Sequence, residues 1–527
     1  MIGRVPPHGT AADVERSPSE DEVTRRELAR IARGGTLNMV GAVVSAVMGF
    51  LHVVIVTRFF RADDAGSLFS ATSAFTILTT VGMLGTETGL ARFMLPLKVQ
   101  GRLGDQARLR RIALRPVMVF SFAAAAVGLL GAEEISRLLG VEGPHAATVV
   151  RMIALAVPAA TLSRFMLGQT RAIGRMRPTV VIDKIFRSAA QPAGALLVGL
   201  MGGGVVALTN SWTIPFFVAL LLAIPTVPKA EVGHDEQASG SDMRTLRREF
   251  WSFTWPRSLA SVSQIAIQRF DIIVIAATLG AAEAAIYTAA TRFVVVGQFG
   301  VQAIQQVLQP RMSAMLAKNQ LGPLERVFQT STAWNVAVAW PLYVTVACAA
   351  GVYLRLFGQG YTSSEAVAVV VTMSVAMMLA VAAGPLDTLL LMAGHSKAST
   401  INALVALAVN VALCLTLIPS MGIPGAGVAW AAAVVVRNVL TYVQVRKALG
   451  ITPFSSSVGI AVALPVLAFA VPQLVSSVVF GPTVGAFAAA FGIGVVLYAA
   501  GLWAARDRLA LASLQALLPR RFVEAKG

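Results

Sequence analysis

RADDAGSLFSAT (Arg61–Thr72) lies over LGAAEAAIYTAA (Leu279–Ala290) when the second half of the chain is slid along the first by roughly 220 residues, and Phe69 then falls on Tyr287. Two further stretches match at that offset: GRMR (Gly174–Arg177) over GHSK (Gly394–Lys397), and MGGG from Met201 over MGIP from Met421. The chain therefore reads as two copies of one unit followed by a segment outside the repeat. Between the matches lie apolar runs bounded by charges or Gly/Pro clusters, each near the roughly 20 residues a helix needs to cross a bilayer.

Of the 527 residues, 56% are hydrophobic and 13% charged, with a mean hydropathy of +0.72, which excludes a soluble globular chain. The apolar runs number 14, including Thr179–Leu200, Thr330–Tyr353 and Ala366–Met392. Six spans separate equivalent positions of the repeat. Six is even, so the copies share one orientation and relate by a pseudo-twofold axis along the membrane normal. The expected fold is all-α. Residues 1–34 form a disordered cytoplasmic tail, 35–226 a first six-helix lobe, 227–250 a cytoplasmic linker and 251–446 a second six-helix lobe. Two last spans occupy 447–504 and a cytoplasmic tail 505–527.

Loop charges test the count, because one missed span would move every later loop to the wrong side. They alternate. One set of loops carries Arg92, Lys98, Arg102, Arg108, Arg110, Arg111 and Arg115, then Arg171, Arg175 and Arg177, then Lys229, Arg244, Arg247 and Arg248, and continues through Arg311, Lys318, Arg326, Lys397, Arg446 and Lys447. The intervening loops are short and poor in cations. The rich set is assigned to the cytoplasm, which places both termini inside and the chain in the cell's inner membrane.

The net charge of +17 is loop charge plus charges inside spans, with no basic face on a soluble domain to meet nucleic acid. Cys348 and Cys414 both lie in apolar stretches, so neither a disulfide framework nor a thiolate metal site is expected. No HExxH, P-loop or GxSxG motif occurs, and the longest outer loop, Gly131–Ala146, holds His145 without a nucleophile and base beside it. A membrane enzyme such as a polysaccharide polymerase or ligase is therefore the weaker reading, and no cofactor is expected.

The second half carries LRLFGQGY (Leu354–Tyr361), LLLMAGHSK (Leu389–Lys397) and NVALCLTLIPSMGIPGAGVAWA (Asn410–Ala431). This pattern resembles the polysaccharide-transporter branch of the multidrug/oligosaccharidyl-lipid/polysaccharide (MOP) superfamily, the Wzx-type oligosaccharide flippases. The resemblance implies movement of a polyprenyl-pyrophosphate-linked oligosaccharide from the cytoplasmic to the outer leaflet by alternating access. Its implied partners are that lipid-linked oligosaccharide, the bilayer and other envelope polysaccharide assembly proteins. A MurJ-type peptidoglycan-precursor flippase and a MATE-type cation-coupled exporter are the alternatives within the fold.

An Arg, Lys or Asp at a helix centre costs about 2.5–3.5 kcal/mol on insertion scales, so those retained there need a partner or a water-filled cavity. Arg257, Gln264, Gln268 and Asp271 fall within an arc of about 60 degrees on one helix. Gln298, Gln302 and Gln305 line up on the next, with Thr291 and Gln309. Two polar stripes on consecutive helices of one lobe point to a cavity. Asp183 and Arg187 stand four apart and can pair, with Lys184 near the cytoplasmic mouth. Arg269 and Arg292 point away from the stripes, with Asp271 and Asp387 as the expected acidic partners. Arg164 and Arg437 add to a cationic excess, which suits a pyrophosphate head group because Arg forks match phosphate oxygens. Glu87, Asp387 and His52 are the candidates for coupling to H+, Na+ or the membrane potential.

Overall fold

The computed structural model describes residues 20–227, 243–481 and 483–511. Every regular element among them is helical. The first half holds α1 (Glu20–Phe59), α2 (Ala62–Gly82), α3 (Thr86–Val99), α4 (Leu103–Leu130), α5 (Ala132–Leu138) and α6 (Ala146–Ala172). A π-helical segment, Thr179–Arg187, runs on into α7 (Ser188–Leu200), and α8 (Val205–Ala223) follows. The second half holds α9 (Met243–Leu279), α10 (Ala281–Ala290), α11 (Arg292–Ala317), α12 (Leu321–Cys348), α13 (Ala350–Arg355), α14 (Ser364–Ala382), α15 (Leu386–Met392), α16 (Ser396–Met421) and α17 (Ile423–Leu449). Last come α18 (Ser456–Pro465), α19 (Val471–Phe480) and α20 (Val484–Ala504).

Among the described residues, 12 helical stretches are long and apolar enough to cross a membrane, against the 14 expected. The two expected spans outside this set are helical nonetheless. Thr179–Leu200 carries Asp183, Lys184 and Arg187 and opens in a π-helix, while α12 is diluted by Asn335, Pro341 and two tryptophans. The first is less apolar because Asp183 and Arg187 border a cavity, and α12 because most of its surface is buried in protein. Of the expected N-terminal tail, residues 1–19 lie outside the described set, and α1 begins at Glu20. Of the expected linker and C-terminal tail, residues 228–242 and 512–527 lie outside the described set.

In the first half α6 is central and packs on α2, α3, α4 and α8, while α1 lies along α7, where Ser45 and Ser188 share a 2.9 Å hydrogen bond. In the second half α12 packs on α11 and α14, and α17 on α14 and α16. The last helices lean on α12, where the Tyr498 hydroxyl donates to the Ala337 carbonyl at 2.5 Å and the Trp334 indole N–H to the Leu509 carbonyl at 2.8 Å. Their outward residues, among them Val478, Phe480, Val496 and Trp503, stay exposed, as a lipid-facing surface requires.

The two halves meet closely at the cation-poor end. There α2 lies against α10, and Gly66 abuts the Ala281 backbone so tightly that a methyl group would overlap the carbonyl. The Arg58 guanidinium reaches across to the Leu356 carbonyl at 2.8 Å and the Arg355 carbonyl at 2.7 Å. Phe50 and Phe357 meet edge to face at 5.7 Å. Toward the cation-rich end α3 still meets α9, where Gly89 abuts the Phe250 ring, and beside that contact the halves enclose space.

Helix breaks shape that space. Leu84 and Gly85 both adopt positive φ, 48° and 71°, separating α2 from α3, and Gly384 at φ 77° followed by Pro385 separates α14 from α15. Each break starts a new helix with a carboxylate in its first turn, Glu87 in α3 and Asp387 in α15, where the helix dipole favours negative charge.

The α2–α10 contact yields a test. In a background with Cys348 and Cys414 replaced by alanine, Gly66→Leu raises the maleimide labelling rate of a cysteine at buried Ala284 about tenfold, the equivalent of about 1.4 kcal/mol of closure free energy. An unchanged rate in purified protein would mean that this contact does not hold the end shut.

Candidate functional site

Three cavities concern the site: the first two are bordered by residues of both halves, and the third by residues of the second half alone. The first, about 400 Å³, is bordered by Ser45 and His52 of α1, Glu87, Arg164, Arg171, Asp183, Arg187, Gln191, Arg269 and Arg292. The second, about 1060 Å³, is bordered by Glu87, Arg92, Arg164, Arg257, Gln264, Asp387, Lys397 and Arg437, and it lies toward the cation-rich end. The third, about 290 Å³, is bordered by Gln264, Gln268, Gln298, Gln305, Asp387, Trp430, Arg437 and Asn438. Glu87 and Arg164 are common to the first two, and Gln264, Asp387 and Arg437 to the last two. The three are therefore chambers of one cavity system, joined where a helix break presents a carboxylate.

Each of these acids is engaged. Glu87 Oε1 lies 3.4 Å from Arg164 Nε and 3.4 Å from an Arg171 Nη. Arg187 Nε donates to Asp183 Oδ1 at 2.6 Å and Arg187 Nη1 to Gln191 Oε1 at 3.2 Å, while Gln191 Nε2 donates on to the Trp212 carbonyl at 3.1 Å. The π-helical segment carries Asp183 and Arg187, a distortion that recurs at functional sites because it re-aims side chains. Arg187 also stands over the Phe216 ring at 5.1 Å. Asp387 receives Ser399 Oγ at 2.6 Å and Arg437 Nη2 at 3.2 Å, and the other Arg437 nitrogen, Nη1, donates to Gln264 Oε1.

Cations remain over. The first chamber is lined by five arginines against Glu87 and Asp183, and the second by five cations against Glu87 and Asp387. Arg292 Nε donates to the Thr288 carbonyl at 3.0 Å. No carboxylate lies within 4.0 Å of the Arg269 or Arg292 guanidinium among the described residues. Asp271, the expected partner, is buried to 2% exposure, accepts from Tyr287 Oη at 2.5 Å and from the Ile272 N–H at 2.8 Å, and borders none of the three chambers. Tyr287 reaches that acid from α10. Arg269 and Arg292 thus share the first chamber without acids of their own.

The remaining sequence-derived candidates divide. Arg164, Arg187, Arg257, Gln264, Gln268, Arg292, Gln298, Gln305 and Arg437 border chambers, as do Glu87, Asp387 and His52. Lys184 does not; its Nζ donates to Asn38 Oδ1 at 2.9 Å and ties the π-helical segment to α1. Gln302 is exposed and borders none of them. Sequence reasoning misses several lining residues, Arg92, Lys397 and Asn438 among them. Arg171 reads as loop charge, yet it reaches back to Glu87. Gln191 extends the Asp183–Arg187 face by one more turn, a legible signal. Arg269 points away from the amide stripe by helical angle, and Trp430 reads as an ordinary apolar residue.

A sequence profile of the family described as polysaccharide biosynthesis protein matches residues 31–316. No curated protein matches. Among solved structures, one titled as the lipid II flippase MurJ in an inward closed conformation is 12% identical, with a TM-score of 0.69, 89% of this chain and 99% of that chain covered. An inward-facing multidrug resistance MATE family transporter of the MOP superfamily is 14% identical with a TM-score of 0.62, covering 77% of this chain and 94% of that one. A MOP superfamily transporter from Pyrococcus furiosus, described as having a reversed polarity of its binding pocket, is 15% identical with a TM-score of 0.55 over 80% of this chain and 95% of that one. The fold is that of the MOP transporters.

The pairing at the joint between the second and third chambers is measurable. A double-mutant cycle of Arg437→Gln and Asp387→Asn, read by unfolding of the purified protein, gives a coupling energy of about 1 kcal/mol, small because both side chains remain partly open to the chamber. Additive effects would show that the pair is not formed.

Proposed function

The chain belongs to the polysaccharide biosynthesis protein family, and on that premise we propose that it is a flippase that moves a polyprenyl-pyrophosphate-linked oligosaccharide from the cytoplasmic to the outer leaflet for export of a surface polysaccharide. The observation that carries this reading is the excess of arginine over acid in the first chamber, above all the unpaired Arg269 and Arg292. A pyrophosphate brings oxygens that guanidinium forks can match two at a time and negative charge that offsets their desolvation.

In this reading the cation-rich end faces the cytoplasm, so both termini lie there and the membrane is the inner one. The large second chamber is the cytoplasmic entrance, and the α2–α10 contact is the closed outer end. Substrate enters by way of Arg92, Arg257 and Lys397 and passes the Glu87–Arg164 joint, and its head group settles at Arg269 and Arg292. Opening of the outer end and closing of the inner one then completes transfer without covalent chemistry. Transporters as family and structural neighbours support a protein that is not an enzyme. An inside-negative potential assists outward movement of an anion by about 2.3 kcal/mol per charge per 100 mV. Glu87, Asp387 and His52 are the groups through which a coupling ion would act. The other envelope polysaccharide assembly proteins are the partners that would supply and consume the substrate.

A second reading, flipping of a peptidoglycan precursor, draws on the similarity to the MurJ structure over 99% of that chain, and the same arginines would serve its pyrophosphate. A cation-coupled exporter of the MATE type would rely instead on Glu87 and Asp387, both of which are engaged by arginine here.

Depletion of the protein from cells separates these readings. Mass spectrometry of prenyl-pyrophosphate-linked saccharides, with leaflet assignment by an impermeant probe, should find one oligosaccharide species accumulating on the cytoplasmic side. Accumulation of a peptidoglycan precursor would select the second reading, and an unchanged pool would overturn both. In purified protein, inorganic pyrophosphate raises the unfolding temperature. Arg269→Gln or Arg292→Gln weakens that binding about tenfold each, the loss of one charge-assisted interaction.

A further inference from the structure

The third chamber differs in kind from the other two. Asp387 and Arg437 are the charged groups on its wall, and they are paired with each other at 3.2 Å, so it carries no net charge. Gln268 of α9 and Gln298 and Gln305 of α11 face it without a hydrogen-bond partner among the described residues. Each carboxamide offers two donors and an acceptor. Asn438 uses its amide N–H on the Val434 carbonyl at 2.8 Å and leaves its side-chain oxygen available. The apolar part of the wall includes the flat indole of Trp430, 6% exposed.

Uncommitted amides inside a membrane domain cost stability unless water or a ligand meets them. A pyrophosphate gains nothing from this wall, where the single guanidinium is already matched by a carboxylate and an amide. A drug-like hydrocarbon would leave the amides unsatisfied. A sugar ring fits the chemistry: its hydroxyls donate and accept, as carboxamides do, and its C–H face packs on an aromatic plane. The volume of about 290 Å³ sits at the small end of ligand pockets, roughly 300–1,000 Å³, which suits a terminal ring rather than a whole oligosaccharide. The wall shared with the second chamber at Gln264, Asp387 and Arg437 lets one molecule occupy a cationic chamber and this one together.

We propose that the chamber between α9, α11, α15 and α17 is a saccharide subsite for an uncharged sugar of the lipid-linked substrate, read by Gln268, Gln298, Gln305 and Asn438 with Trp430 beneath the ring. The proposal rests on the flippase reading and adds to it which part of the cavity takes sugar and which sugars it admits. Acidic sugars are disfavoured there by the Asp387 carboxylate and the absence of an unpaired cation.

The test uses the full chain in lipid nanodiscs and three probes: a short prenyl pyrophosphate, the same lipid carrying N-acetylglucosamine, and its uronic acid counterpart. Wild-type protein binds the N-acetylglucosamine lipid more tightly than the other two. Gln298→Ala combined with Gln305→Ala lowers affinity for that lipid about tenfold more than for the bare pyrophosphate. If the double variant does not fold, Gln268→Ala, at an exposed position of the same wall, is read instead and shows the same bias at about threefold. Equal losses on the two lipids, or no loss on either, would overturn the subsite, and equal wild-type affinity for the uronic acid lipid would overturn its restriction to uncharged sugar. Wild-type protein that binds none of the three would overturn the flippase reading itself, and the subsite with it.

Discussion

A charge inside a membrane domain must have either a counter-charge or water, and the arrangement of this protein follows from how that demand is met residue by residue. Three acids, Glu87, Asp183 and Asp387, each hold an arginine by salt bridge. The fourth, Asp271, is committed to a tyrosine and a backbone N–H instead. That diversion leaves Arg269 and Arg292 without a carboxylate in salt-bridge contact among the described residues. Two guanidinium groups held in this way are tolerable because a chamber of about 400 Å³ adjoins them.

The helix breaks supply the other half of the arrangement. An unbroken helix would place Glu87 and Asp387 at mid-helix, where no backbone partner compensates a carboxylate. Restarting the helix after Gly85 and after Pro385 puts each acid among free N–H groups at a new N-terminus. Both acids then stand where two chambers join, each bridged to arginine. The left-handed turn at Leu84 costs roughly a kcal/mol or more, and its place beside the Glu87 joint gives that strain a structural use.

Much of the fold was legible because apolar length, loop charge and the internal repeat all report on the same constraint, the thickness and sidedness of the bilayer. The site was legible where side chains follow helical periodicity, as in Asp183–Arg187 or Gln298–Gln305. It was not legible where a break or a reach over several ångströms decides the partner. The sequence pairs Arg292 with Asp271 by proximity along adjoining helices, whereas the fold gives that acid to Tyr287. Lys184 and Gln302 fall on plausible faces of their helices, yet one is tied to Asn38 and the other is turned away from the chambers. Arg171 reads as a loop cation because nothing in a linear pattern shows that α6 continues to Ala172 and returns the side chain to Glu87.

On the flippase reading, the same charge balance links cargo to conformation. The second chamber brings five cations against two acids, so closing its mouth on an empty cavity would draw Arg92, Arg257 and Lys397 toward one another in a shrinking volume of water, and the repulsion rises as the dielectric falls. A bound pyrophosphate reverses that sign. The opposite end needs no such licence, since it closes through the Gly66–Ala281 approach, the Phe50–Phe357 ring contact and the Arg58 hydrogen bonds to the Leu356 and Arg355 carbonyls, none of which calls for a bound anion. On this reading the protein without cargo favours the arrangement open toward its cation-rich end. Only the anionic load removes the electrostatic obstacle to closing that end, so the sign of the cargo, and not its size alone, selects which conformation is stable.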